Sequence, residues 1–130
     1  MSHKKIPYYD FKKELQVIKD YNLLLLYVYR LVKKFPESET YLINSIKEQL
    51  GHGLESIMLA KRVYKDEHLK KLEYLNKAQA HINTLLVLVR LSRKMNYINS
   101  KNYTAWSYYI TKVDNHLTNW IRALIKHEKD

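Results

Sequence analysis

Cysteine is absent from this 130-residue chain. Disulfides, thiolate metal centres and a cysteine nucleophile are excluded with it. Glycine and proline occur only twice each, so the chain has few residues that break helices or build tight turns. Gly51-His52-Gly53 is no phosphate loop, because no Lys-Ser/Thr follows it and no strand precedes it. Long apolar runs are missing too. The longest, Leu23 to Tyr29, is far too short to span a bilayer. Met1 to Phe11 is polar and lacks the apolar stretch of a secretory signal. One soluble intracellular domain with no membrane partner is the expectation, and at this length it can bury a real core.

Acid is also scarce. Asp and Glu total 13 against 23 Lys and Arg, a formal charge of +10. Between Asn76 and Val113 there is no carboxylate at all. Solubility does not need so much positive charge, which points to a polyanionic partner. Nucleic acid is the commonest such partner, ahead of an acidic membrane or an acidic protein. Twelve tyrosines suit interfaces and base stacking, although most are expected to flank the core.

What is present in quantity is amphipathic helix. The central stretch, Leu69 to Tyr97, has no Gly or Pro. Leu72, Leu75, Gln79, Ile82, Leu86 and Val89 recur on it at spacings of three and four, one stripe of an α-helix roughly 40 Å long. Continued in the same steps, the stripe reaches Arg90 and Arg93. Either the bundle ends there and the side chains snorkel to water, or this end faces an anionic partner or a subunit boundary.

The other segments supply matching stripes. Residues 1–10 read as a flexible basic arm, with Asp10 as a candidate N-cap. The first helix is expected from Phe11 to Lys34. Leu15, Ile18, Asn22, Leu25, Tyr29 and Val32 form its stripe, Leu24, Val28 and Leu31 widen it, and Asn22 is a candidate register-fixing contact. Phe35-Pro36 stops it. A second helix, capped by Ser38, is expected to run to Lys65 with Ile43, Ile46, Leu50, Gly53, Ile57, Ala60 and Tyr64 inward. Gly51 and Gly53 each cost it about 1 kcal/mol relative to Ala. Because Gly53 lies on the stripe, a close crossing or a kink is expected there. Asp66 or Glu67 opens the third helix, and Asn99 or Ser100 caps the fourth. The fourth carries a strict heptad seam of Tyr103, Trp106, Ile110, Val113, Leu117, Trp120 and Leu124. The predicted fold is all-α, an antiparallel up-down-up-down four-helix bundle over residues 11–127.

No catalytic constellation is legible. The Glu-x-x-His pair of di-iron bundles is missing, and no two histidines stand four apart. Glu48, His52 and Glu55 share one helix face, which is more simply a surface ion pair. His81 and His116 read as edge histidines. A non-enzymatic protein without metal or cofactor is expected. The basic residues are better organised. Arg90, Arg93, Lys94, Lys101, Lys112 and Lys77 lie in or beside the acid-free stretch. Lys61, Arg62 and Lys65 end the second helix, and Lys70 and Lys71 lie across the next turn, so that an antiparallel hairpin clusters these five. Phosphate contact needs positive charge within reach rather than a fixed spacing.

The chain resembles the accessory variability determinant proteins of diversity-generating retroelements. These sit within a wider group of four-helix bundles that includes the ribosomal-RNA intervening-sequence proteins. The resemblance spans about Leu23 to Lys126. It rests on Phe35-Pro36, the S-I-K-E-Q-L segment from Ser45, R-L-S-R at Arg90 to Arg93, Tyr97, Tyr103 and Trp120-Ile121-Arg122. It departs at Thr118-Asn119, where family members often carry two glycines, and at Lys94, where an acid is common. The resemblance implies a cytoplasmic, bacterial or phage-encoded homopentamer that binds a reverse transcriptase and RNA or DNA, and supports mutagenic retrohoming without catalysis. It nominates Arg90, Arg93 and Arg122 for charge. A stand-alone bundle of the intervening-sequence type, with a structural or interaction role, is the alternative.

Overall fold

The computed structural model describes residues 11–64 and 67–129. The expected basic arm, Asp10, Lys65 and Asp66 lie outside the described residues. Four helices follow one another: α1 Phe11–Leu31, α2 Thr40–Arg62, α3 His68–Lys94 and α4 Ser100–Lys129. Two short 3-10 turns, Val32–Lys34 and Glu37–Glu39, bracket Phe35-Pro36 and carry the chain from α1 to α2. The helices alternate in direction, as the short turns require. In space α2 packs on α3, α3 on α4, and α4 on α1, while α1 and α2 meet only slightly. Among the described residues there is no strand.

Helix α4 follows its expected heptad. Trp106, Ile110, Val113, Leu117, Trp120 and Leu124 are buried and Tyr103 is half-buried. Helix α2 does the same through Ile46, Leu50, Gly53, Ile57 and Ala60. Tyr64 lies beyond its end and is exposed. At roughly 1.5–3 kcal/mol per fully buried large apolar side chain, these seams supply much of the driving force for assembly.

Two stripes differ from expectation by about one residue. On α1 the buried positions are Val17, Tyr21, Leu24, Val28 and Leu31, whereas Asn22 and Tyr29 are exposed. The residues expected to widen the stripe are its centre. The run Leu23 to Leu26 allows either phase, and packing against α4 selects one. The buried polar groups on this helix are therefore Asp20 and Glu14, and not Asn22. On α3 the seam runs Lys71, Leu75, Ala78, Ile82, Leu85, Val89 and Ser92. It ends on Ser92, whose hydroxyl donates to the Leu88 carbonyl at 2.8 Å, and not on Arg90 and Arg93. The core face does not become cationic. Small Ala78 and Ser92 carry it past positions that a search for large apolar residues skips.

Polar contacts fix the register between helices. The Gln79 amide, at the edge of the seam, donates to Asp114 Oδ1 at 3.0 Å and to Thr118 Oγ1 at 2.8 Å, tying α3 to α4. Asp20 does the same between α1 and α4. It is 2% exposed, accepts from Gln16 Nε2 at 3.0 Å, and lies 2.8 Å from His116 Nε2 and 3.5 Å from Lys112 Nζ. Between α1 and α2 one link is Tyr21. Its hydroxyl donates to the Leu50 carbonyl, and its ring lies where a side chain at Gly53 would stand. Burial raises the Tyr21 phenol well above its ordinary value.

Candidate nucleic-acid interface

The up-down topology brings four segments to one end of the bundle: the end of α1, the start of α2, the end of α3 and the start of α4. Three of them fall within two stretches, residues 21–36 and 76–113, that contain no Asp or Glu. Arg30, Lys33 and Lys34 come from the first. Arg90, Arg93, Lys94 and Lys101 come from the second. None of these seven lies within 4.0 Å of a carboxylate among the described residues. The nearby acids, Glu37 and Glu39, come from the 3-10 turn before α2. One of them, Glu39, accepts the Tyr97 hydroxyl at 2.7 Å.

The turn between α3 and α4 is built to stay fixed. Asn96 adopts φ 61°, the left-handed conformation that ends many helices. The Asn96 amide donates to the Arg93 carbonyl at 3.0 Å and the Tyr97 amide to the Ser92 carbonyl at 3.0 Å, a Schellman closure. Asn99 then caps α4, accepting the Asn102 amide at 2.7 Å, as the sequence led us to expect. Arg93 lies along this turn. Its guanidinium donates to Asn96 Oδ1 at 3.3 Å and Ser100 Oγ at 3.0 Å. Tyr97 packs on Phe35 with ring centroids 5.5 Å apart, so the turns at this end brace one another. A cleft of about 410 Å³ opens here between Lys34, Arg93, Ser100 and the amides of the turn.

The opposite end is different. Lys70 Nζ is 4.0 Å from Glu67, and Lys77 Nζ is 3.5 Å from Glu73. Lys71 corrects the expected cluster of five: it is 4% exposed, with its ammonium 5.8 Å from the centre of the Trp120 ring. It occupies the first inward position of the α3 seam, so its charge lies inside the bundle. Arg62 and Arg122 are exposed, Lys61 is half-buried with its own partners, and Lys65 is outside the described residues. Of the twelve basic residues singled out from sequence, Arg90, Arg93, Lys94 and Lys101 thus gather at the α3–α4 end. Arg30, Lys33 and Lys34 join them there unforeseen. The signal was available in the K-K-F-P run, once α1 is laid parallel to α3.

Two of the described histidines lie side by side. The His52 and His81 rings are 5.4 Å apart, and His81 Nδ1 lies 2.8 Å from Gln49 Oε1. Burial, then the neighbouring His52, holds His81 below its ordinary value. Among the described residues no group of three or more His, Cys, Asp or Glu is placed to hold a metal ion. No described helix is long and apolar enough to cross a membrane.

The fold is thus a helical bundle with seven cations at one end that meet no carboxylate within 4.0 Å among the described residues. Residues 14–124 match the family model described as bAvd-like. The chain belongs to the bAvd-like family, whose members are non-catalytic accessory proteins of diversity-generating retroelements. No curated protein matches it.

Proposed function

We propose that this protein serves its retroelement by holding nucleic acid, the template RNA or its cDNA, at the basic end of the bundle while associating with the cognate reverse transcriptase. The observation that carries the reading is a cluster of cations beyond the reach of acids. At the end where α2 meets α3, Lys70 and Lys77 pair with Glu67 and Glu73, although Arg62 and Arg122 have no carboxylate within 4.0 Å among the described residues. At the other, Arg30, Lys33, Lys34, Arg90, Lys94 and Lys101 face solvent with none in reach. Phosphate neutralisation is the chemistry such a surface performs, and it carries no sequence preference of its own. The polymerase partnership is supported by family membership.

A homopentamer is part of the same proposal. Leu23 and Leu26 on α1, and Val87 and Leu91 on α3, are large apolar side chains left exposed. These helices stand at opposite corners of the bundle, each flanked by α2 and α4. Two different faces on one subunit are what a closed head-to-tail ring needs.

The test is binding of template RNA over a salt series. Affinity should fall with a log–log slope of about 0.7 per phosphate contacted on a single strand. Replacing Arg90, Lys94 and Lys101 by Gln should flatten that slope. Replacing Arg62, Lys70 and Lys77 should leave it nearly unchanged. Equal effects from both sets, or affinity indifferent to salt, would refute the assignment. Co-purification with the polymerase and mass by light scattering test the other two parts.

A further inference from the structure

Beside the Lys34–Arg93 cleft lies a second, shallower depression on α4. Ser100 lines both. The second is floored by Lys101, Thr104, Ala105 and the rings of Tyr108 and Tyr109. Tyr108 is 60% exposed. It meets Tyr109 only edge-on, at 5.8 Å and 64°, which leaves a ring face open. Tyr109 is itself held 5.1 Å from Tyr27, and the Tyr27 hydroxyl donates to the Asn102 carbonyl at 3.1 Å. The shelf is thus anchored to α1 and does not depend on Tyr108 alone. From Ser100 to Tyr108 is about 12 Å along the helix, a span of a few nucleotides.

A cationic concavity lined with hydroxyl and amide groups suits a phosphate. An open tyrosine face suits a base. A duplex offers only the first to such a surface, because its base faces are stacked within the helix; a single strand offers both. We propose that the α3–α4 turn and the first turns of α4 form a track for a single-stranded polynucleotide. One backbone phosphate sits between Lys34 and Arg93, and an unpaired base stacks on Tyr108. This rests on the reading of the basic end as the polyanion surface, and it adds strandedness and a specific path.

The two contacts leave different signatures. Stacking releases no counterions, so Tyr108→Ala should weaken single-strand binding roughly 5- to 150-fold at every salt concentration with the salt slope unchanged. Tyr108→Phe should bind like the parent. Lys34→Ala should reduce the slope by about 0.7, and Arg93→Ala should do the same with a melting curve recorded alongside, because Arg93 also braces its turn. The probes are a fluorescently labelled oligoribonucleotide, its deoxy counterpart and an RNA duplex, read by anisotropy with the full chain. Loss on Tyr108→Ala for the single strands and not for the duplex is the expected result, and it also shows whether ribose matters. Single-strand binding that ignores Tyr108→Ala, or an equal loss on the duplex, overturns the track while leaving the basic end as the polyanion surface. No binding of any of the three probes overturns both.

Discussion

Gly51 and Gly53 stand two residues apart on one helix, and substituting each by alanine should change stability in opposite directions. At Gly51 a methyl group meets nothing within 4 Å. Gly51→Ala should therefore stabilise the fold by about 0.4–1 kcal/mol, the ordinary gain when glycine leaves a helix interior. At Gly53 the same methyl meets the Tyr21 hydroxyl at 2.5 Å. That oxygen is the rim of a rigid ring buried completely in the core, and it is bonded to the Leu50 carbonyl. It has no free direction in which to move. Overpacking costs about 1–3 kcal/mol and a displaced buried hydrogen bond about 1–3 kcal/mol. Against these stands a propensity gain of about 1 kcal/mol. Gly53→Ala should lose about 1–5 kcal/mol net, measured as a lower urea midpoint with an unchanged m-value. The mechanism has its own control. With Tyr21→Phe the nearest ring atom stands 3.5 Å from the new methyl, an ordinary contact. The double variant should then be more stable than Gly53→Ala alone, with a coupling of about 1–2 kcal/mol. A Gly53→Ala protein as stable as its parent, or a double variant no better than the single, would refute the account of how α1 and α2 meet.

Three further outcomes are expected. Asp20→Ala removes the buried acceptor shared by Gln16, Lys112 and His116. Because Lys112 and His116 can still reach water, the loss in urea denaturation should be about 1–3 kcal/mol and not the larger cost of stranding a fully buried ion; no loss would mean the pairing is incidental. Asn96→Gly should be neutral or stabilising, and Asn96→Val should cost about 1–2 kcal/mol, since a β-branched residue resists positive φ; equal stability of the two would argue against the left-handed turn. His81 has a folded-state pKa below its ordinary value of 6.5, so the unfolded chain takes up that proton first as the pH drops. Its contribution is complete above about pH 6.5 and declines as the pH falls through that value toward the folded pKa. The difference in urea midpoint between pH 7.5 and 5.5 should shrink in His81→Gln, and an unchanged difference would remove His81 as the cause.

The sequence was most legible where a seam is made of large side chains and flanked by polar ones. On α4 the two tryptophans leave one phase for the helix, and every expected inward position is inward or half-inward. On α1 the leucine run Leu23 to Leu26 fits two phases, and nothing local chooses between them. The choice is made by α4, which is distant in sequence. On α3 the inward face includes Lys71, Ala78 and Ser92, which a hydrophobic count passes over. For that reason Arg90 and Arg93 looked like the continuation of the core when they belong to its margin. The positive end was half legible. The acid-free stretch from Asn76 to Val113 is plain in one dimension, but Arg30, Lys33 and Lys34 join it only through the topology. The chain carries its own neutralising acids for the opposite cluster, Glu67 and Glu73, within one turn of the lysines they meet.

The slight contact between α1 and α2 sets an order on how the molecule is made. Of the four helices, α1 leaves the ribosome before the others and α4, the helix it packs against, after them. At roughly 5–20 residues per second, the Val17, Leu24 and Val28 face must wait on the order of ten seconds before α4 exists to cover it. The first of the four helices to emerge is thus the last to be enclosed, and its long-range docking should be the slow step when the bundle folds.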